Sequence, residues 1–203
     1  MKILSSISVI SIIAIASACS TSTTPNTNKA ATGNTAAANS VAGNTTAPTK
    51  SDDVPAAVKA AMPDGQTFSV QHKDLSDAQI ASIEKDTSGK VADKDHHSYL
   101  AFSTPNGAKT QIGAATIVKA SGKEIIVVYG NKGGSPSIKE IKAEGMPAAF
   151  LSQFAGKGHD DDLLLGVDIK ANGVSEDQAK SITEAIRIDV LAMQALYGQT
   201  HAH

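Results

Sequence analysis

Residues 150–187 read FLSQFAGKGHDDDLLLGVDIKANGVSEDQAKSITEAIR and contain the elements that decide the fold. Their first part predicts a short helix at about Pro147 to Phe154, and the Asp-rich middle predicts a loop. Ser175 then opens a pattern in which apolar residues recur every three or four positions as far as Tyr197. The stripe consists of Ala179, Ile182, Ile186, Val190, Met193 and Tyr197. This spacing predicts a long amphipathic closing helix from about Ser175 to Tyr197.

The residues upstream predict an antiparallel sheet. A short helix is expected from Pro55, ending before Pro63, and Ser76 opens a capping-box pattern for a second helix. From Ser98 the apolar period changes to two. Strands are predicted for SYLAFS (98–103), TQIGAATIVKA (110–120), EIIVVYG (124–130) and, after a loop NKGGSPS, for SIKEIKA (137–143). The histidines are expected in turns or tails. Helices gathered against an antiparallel sheet make an α+β domain.

Three elements of the quoted stretch together resemble a known family. They are F-x-x-Q-F-x-G-K at 150–157, D-D-x-L-x-L-G-x-D-I at 160–169 and E-A-I-R at 184–187. The set resembles the C-terminal half of FMN-binding domains, which occur in flavin subunits of sodium-pumping NADH:quinone reductases, in Rnf complexes and in small exported proteins. The resemblance covers most of residues 70–197. It implies an FMN-binding-domain-like fold and a flavin that passes electrons between partners.

The chain departs from that family at the flavin position. The family's Ser/Thr-Gly-Ala-Thr motif carries FMN on its last Thr, and its four positions hold Gly173, Val174, Ser175 and Glu176 here. Glu176 has no hydroxyl for a phosphoester, and Ser175 is expected to cap the helix. Glu176 and Asp177 place carboxylates where a helix would otherwise attract a phosphate. The segment from Ala143 to Phe150 is also shorter than in flavin-carrying relatives. Covalent attachment is therefore not expected, and any FMN would be held non-covalently.

Other candidate sites have a simpler interpretation. Gly113-Ala114-Ala115-Thr116 resembles the flavin motif but lies in a predicted strand. The acidic run at 159–162 lacks the spacing of a Ca²⁺ loop and is expected to be a solvated turn. His96-His97, His201 and His203 could hold zinc or copper, but the sequence names no third and fourth ligand. No nucleophile elbow or other catalytic set is present. The sequence thus predicts neither a catalytic nor a metal site, and the chain is not expected to be an enzyme on its own.

The first residues indicate the compartment. Residues 1–19 combine a basic start, a short apolar run and Ala16-Ser17-Ala18-Cys19, the pattern of a bacterial lipoprotein signal peptide. Cys19 is the only cysteine, and lipidation is its expected role, the alternative being an ordinary signal peptide. Ser20 favours sorting to the outer membrane, facing the periplasm. Residues 20–52 are rich in Thr, Ala and Asn and predict a disordered tether, 53–198 a single domain, and 199–203 a tail.

Composition excludes one class of partner and leaves two functions open. The net charge is −2, Trp is absent, and there are only three Tyr and four Phe, so nucleic-acid binding is not expected. The first function is a membrane-anchored lipoprotein with an FMN-binding-type domain, acting as an electron-transfer accessory with an envelope redox partner. The alternative is a flavin-free binding or scaffolding lipoprotein that keeps the fold without the cofactor.

Overall fold

The computed structural model describes residues 53–199. The predicted signal peptide with Cys19, the predicted tether at 20–52 and residues 200–203 lie outside the described residues. Within 53–199, none of the helices is both long enough and apolar enough to cross a membrane.

Five strands and four α-helices make up the described part of the chain. The strands are β1 (Thr67–Asp74), β2 (Asp95–Ser103), β3 (Thr110–Ala120), β4 (Lys123–Lys132) and β5 (Ser135–Ala143). The helices are α1 (Ala56–Ala61), α2 (Asp77–Thr87), α3 (Ala148–Leu151) and α4 (Glu176–Tyr197), and short 3₁₀ turns cover Pro105–Gly107 and Ser152–Phe154. The strands form one antiparallel sheet in the order β1-β2-β3-β4-β5. The predicted α+β fold with a long C-terminal helix is confirmed.

The sheet differs from the sequence prediction in three places, of which β2 is one, because it begins at Asp95 rather than at Ser98. Strand β1 was not predicted, because Phe68 and Val70 give only a weak alternating pattern. The loop between β4 and β5 was predicted too long. Gly133 and Gly134 have φ of 64° and 90°, which suits a two-residue hairpin turn, so both strands run up to this pair.

The histidines are also placed differently. His72 lies on β1, and His96 and His97 lie on β2, so the prediction that histidines occupy turns or tails is wrong for these three. Their strands carry few apolar residues at this end, which hid the extended conformation from a pattern based on hydrophobicity. The acidic run that follows His159 does form a turn. There the Asp161 carboxylate accepts a hydrogen bond of 2.8 Å from the Gly158 backbone amide.

The two faces of the sheet are covered by different helices. Helix α4 packs its apolar stripe on one face, where Ile182, Ile186 and Val190 are buried with Phe150 and Phe154. Of the predicted stripe, Tyr197 alone is only half-buried. Helix α1 covers the opposite face through Val58, which is fully buried. We call these the α4 face and the α1 face. The burial of the stripe accounts for the position of α4.

Strands β2 and β3 separate at one end of the sheet. Their pairing runs from Ser103↔Thr110 to Tyr99↔Ala115, whereas β1 pairs with β2 as far as Asp74↔Asp95. The first part of β2 is held by α4 instead. The Ser98 hydroxyl lies 2.7 Å from the Tyr197 hydroxyl, and His96 contacts Asp189. The sheet therefore opens between residues 95–98 of β2 and the second half of β3.

Candidate functional site

The predicted flavin position is the N-terminus of α4, and the helix caps this end itself. Ser175 is the N-cap, and its hydroxyl accepts a hydrogen bond of 3.3 Å from the Gln178 amide, which confirms the predicted cap. Glu176 and Asp177 form the acidic first turn and are exposed. Their carboxylates face the positive end of the helix dipole and take the role that a bound anion would have.

The loop before α3 lies over the same end of the helix. A Cβ atom added at Gly173 would approach Pro147 Cγ to 3.1 Å, and Gly173 has φ of 79°. The Gln178 side-chain amide lies 3.6 Å from the sulfur of Met146. The two regions in which the chain departs from the flavin-carrying pattern thus touch each other. Gly173 to Glu176 form a capped helix start against the protein's own loop.

A buried polar network lies on the α4 face, around Asp189. One carboxylate oxygen, Oδ2, accepts hydrogen bonds of 2.6 Å from the hydroxyls of Thr116 and Tyr129. The other, Oδ1, lies 3.0 Å from His96 Nε2. The side chains of Asp189 and His96 are only 9% and 11% exposed. Thr116 lies in β3 as predicted, but the sequence did not indicate that its hydroxyl contacts a buried acid.

The network changes the acidity of its phenol. Burial raises the pKa of Tyr129 well above its ordinary value of 10.0, and the nearby Asp189 carboxylate raises it further. The phenol therefore stays protonated and donates to Asp189. His96 differs from the other members of the network, since its Nδ1 is buried and has no hydrogen-bond partner among the described residues.

The separation of β2 and β3 forms a cleft of about 610 Å³ that reaches the network. His96, Thr116 and Asp189 line it from the α4 face, together with Ile188. Asp95, His97, Tyr99 and Ile117 line it where the strands diverge. The charged residues Lys90, Asp93, Lys119 and Glu124 line it as well, so the cleft combines apolar and polar walls. Clefts of this kind are a common form of small-molecule site.

A second cluster of polar side chains lies on the α1 face, where β1 pairs with β2. His72 and His97 are directly opposite each other, with ring centroids 4.0 Å apart. Both rings contact the same oxygen of Asp95: Oδ2 lies 2.8 Å from His97 Nε2 and 3.4 Å from His72 Nδ1. Burial would raise the pKa of Asp95, but the hydrogen bonds to His97 and His72 outweigh it and hold that pKa below its usual value.

Neither the network around Asp189 nor the cluster of His72, Asp95 and His97 was predicted from the sequence, and the reason is the same for both. Their members are far apart along the chain and meet only through strand pairing and the packing of α4. One sequence signal was available for Asp189: it follows Ile186 by three residues and so falls on the apolar stripe of the predicted helix. An acid at such a position is buried, which is rare unless the acid is paired. The predicted His96-His97 pair turns out to be divided, since the two rings point to opposite faces of β2.

Comparison of the chain with protein-family models, with curated proteins and with solved structures finds no match. The resemblance to FMN-binding domains therefore stays a prediction from the sequence motifs.

Proposed function

We propose that this protein is a lipoprotein of the bacterial cell envelope whose folded domain is a flavin-free binding module. The observation that supports the proposal most directly is the start of α4, where Ser175 caps the helix and Pro147 packs on Gly173. Cys19 would carry the acyl anchor, and the domain would face the periplasm from the outer membrane.

The local chemistry argues against a covalent flavin. A phosphoester needs a hydroxyl at the end of the motif, and Glu176 offers a carboxylate. The hydroxyl of Ser175 already accepts a hydrogen bond from the backbone amide of Gln178. An FMN phosphate would also face the charges of Glu176 and Asp177 at a short distance, and neither is paired with a cation in the described part of the chain.

The cleft between β2 and β3 is the better candidate for ligand binding. Its volume suits a single small molecule. His96 and Thr116 are among the polar residues that line it, and the buried His96 Nδ1 has no hydrogen-bond partner among the described residues. Polar groups of this kind fix the orientation of a ligand, while Ile117 and Ile188 supply apolar contact.

The second candidate function is a non-covalent flavin carrier that serves an envelope electron-transfer system. The family-like motifs at 150–169 and the long closing helix favour it. In that case the chain would perform no substrate chemistry of its own.

A visible spectrum separates the two functions. The full chain is purified in detergent from cells that co-express a flavin transferase, and it is then incubated with FMN. We expect a colourless protein that does not take up FMN. Flavin absorbance that remains with the denatured chain would contradict the proposal at Glu176, and absorbance released on denaturation would favour the carrier.

A further inference from the structure

We propose that His72, Asp95 and His97 form a binding site for a divalent transition-metal cation, with Zn²⁺ and Cu²⁺ as the best chemical matches. This site is distinct from the α4 N-terminus and independent of whether the cleft binds a small molecule. It uses one residue of β1 and two of β2, all on the α1 face of the sheet.

The donor atoms already converge. One ligand atom from each of the three side chains lies within 4.8 Å of the other two. Ligands around a tetrahedral metal, at about 2.0 to 2.2 Å from the ion, are themselves separated by about 3.3 to 3.6 Å. The Asp95 oxygen lies 3.4 Å from His72 Nδ1 and 2.8 Å from His97 Nε2. Small side-chain rotations are enough to place an ion between them.

The backbone holds the donors in this arrangement. His72 and His97 are cross-strand partners in a continuous β1–β2 pairing, two residues from its end, and Asp95 lies on the same side of β2 two residues before His97. The N-terminal end of β2 is further fixed by the contacts of His96 and Ser98 with α4. Donors carried by paired strands lose little conformational freedom when a metal binds.

The acids at this end of the ribbon also indicate a cation. Asp74 is the cross-strand partner of Asp95, so two carboxylates share one face. Directly opposed like charges destabilise a strand pair unless something neutralises them. The second oxygen of Asp95, Oδ1, is buried and has no hydrogen-bond partner among the described residues. A divalent ion would offset this negative charge.

The type of donor selects the metal. Imidazole nitrogens with a carboxylate oxygen suit Zn²⁺, Cu²⁺ and Ni²⁺, whereas Ca²⁺ and Mg²⁺ require sets made of oxygen. Three protein ligands leave one position of a tetrahedral ion for water or for another molecule. Because Asp95 and His97 also line the cleft, an ion here would lie at its edge.

The test uses the full chain in detergent, purified without a polyhistidine tag and treated with a chelator. Co²⁺ is titrated while its visible absorption bands are followed, and Zn²⁺ is used to displace it. The variants are H72N and H97N. The matched control is the double variant H201N/H203N, which removes two histidines of the C-terminal tail and leaves the strand pair intact. Far-UV circular dichroism checks that each variant is folded.

We expect one Co²⁺ per chain, displaced by Zn²⁺. Since loss of a group that only supports a ligand weakens metal affinity about 10- to 100-fold, H72N and H97N should each raise the Kd by at least about 100-fold. The tail variant should bind as the unaltered chain does. If H72N and H97N bound Co²⁺ as tightly as the unaltered chain does, or if the tail variant lost binding, the proposed site would be overturned.

A measurement without substitutions keeps the proposal testable if a variant does not fold. The ring ¹⁵N shifts of His72 Nδ1 and His97 Nε2 should both change when one equivalent of Zn²⁺ is added to the unaltered chain. Unchanged ring shifts at those two nitrogens would overturn the proposal.

Discussion

The start of α4 and the open end of the sheet differ in whether their polar atoms have hydrogen-bond partners. At the helix start, the Ser175 hydroxyl satisfies the Gln178 amide, and Pro147 packs against Gly173. At the open end of the sheet, buried atoms of two side chains, Asp95 Oδ1 and His96 Nδ1, have no hydrogen-bond partner among the described residues. The first region resembles a cofactor site in sequence, and the second contains a buried carboxylate oxygen and a buried imidazole nitrogen without hydrogen-bond partners among the described residues.

The difference teaches that binding capacity is better read from unsatisfied polar groups than from motif position. Burying a polar atom without a partner costs free energy. Such an atom in a native structure needs an explanation, and a bound water, ligand or ion is one of them.

The largest effect is expected from removing Asp189, which organises the open end of the sheet. D189A would leave the buried hydroxyls of Thr116 and Tyr129 without their acceptor, and His96 without its contact. We expect the free energy of unfolding to fall by about 3 kcal/mol or more. Urea denaturation measures it.

The matched control for that substitution is D160A, whose side chain is 71% exposed. It should change stability by no more than about 0.5 kcal/mol. If D189A lowered the free energy of unfolding no more than D160A does, the network would not hold β2, β3 and α4 together. The contrast between the open end of the sheet and the start of α4 would then be contradicted.

A smaller effect is expected from Tyr129, and it depends on pH. Burial holds the pKa of Tyr129 above its ordinary 10.0, so the unfolded chain releases this proton first as the pH rises. The stability that the phenol contributes is thus fully present below pH 10 and is lost as the pH rises towards the folded-state pKa. Y129F should cost about 2 kcal/mol at neutral pH, through the lost hydrogen bond to Asp189. It should also lose less stability between pH 7 and about pH 10.5 than the unaltered chain does.

Tyr99 provides the comparison for this measurement. Burial raises the pKa of Tyr99 as well, with a further contribution from Glu124, but Tyr99 is only half-buried. Y99F should therefore flatten the alkaline loss of stability less than Y129F does, as followed by urea midpoints at both pH values. An equal flattening in both variants would mean that Asp189 does not set the environment of Tyr129.

The smallest effect is expected at the start of α4. S175A removes the cap that protects the Gln178 amide and should lower the free energy of unfolding by about 1 kcal/mol. S181A is the control, because Ser181 is exposed inside the same helix and alanine is favoured there. Urea denaturation should show a loss in S175A alone. If S175A were as stable as the unaltered chain, the hydroxyl would be dispensable as a cap and available for other chemistry.

Local signals were sufficient to predict the helices and most of the strands. Ser76 and Ser175 each cap a helix by accepting a hydrogen bond from the backbone amide three residues later, and both caps were predicted from the sequence. The runs 110–120 and 124–130, separated by a turn at Ser121-Gly122-Lys123, likewise predicted β3 and β4. These features depend on neighbours within a few residues.

The polar groups depend on long-range pairing, which one sequence does not encode locally. His72 meets His97 only because β1, an unpredicted strand, pairs with β2 in one particular register. Asp189 meets Thr116 and Tyr129 only because α4 packs across the sheet. The candidate metal site could therefore not be predicted from the sequence without the pairing of β1 with β2.

The most direct test of the contrast is a residue-resolved NMR titration of the full chain with FMN and, separately, with Zn²⁺. We expect Zn²⁺ to shift the backbone amides of His72, Asp95 and His97, and FMN to leave those of Val174 to Asp177 unchanged. Shifts at Val174 to Asp177 on adding FMN, with no response of the β1–β2 pair to Zn²⁺, would reverse the assignment of the two regions and contradict the account.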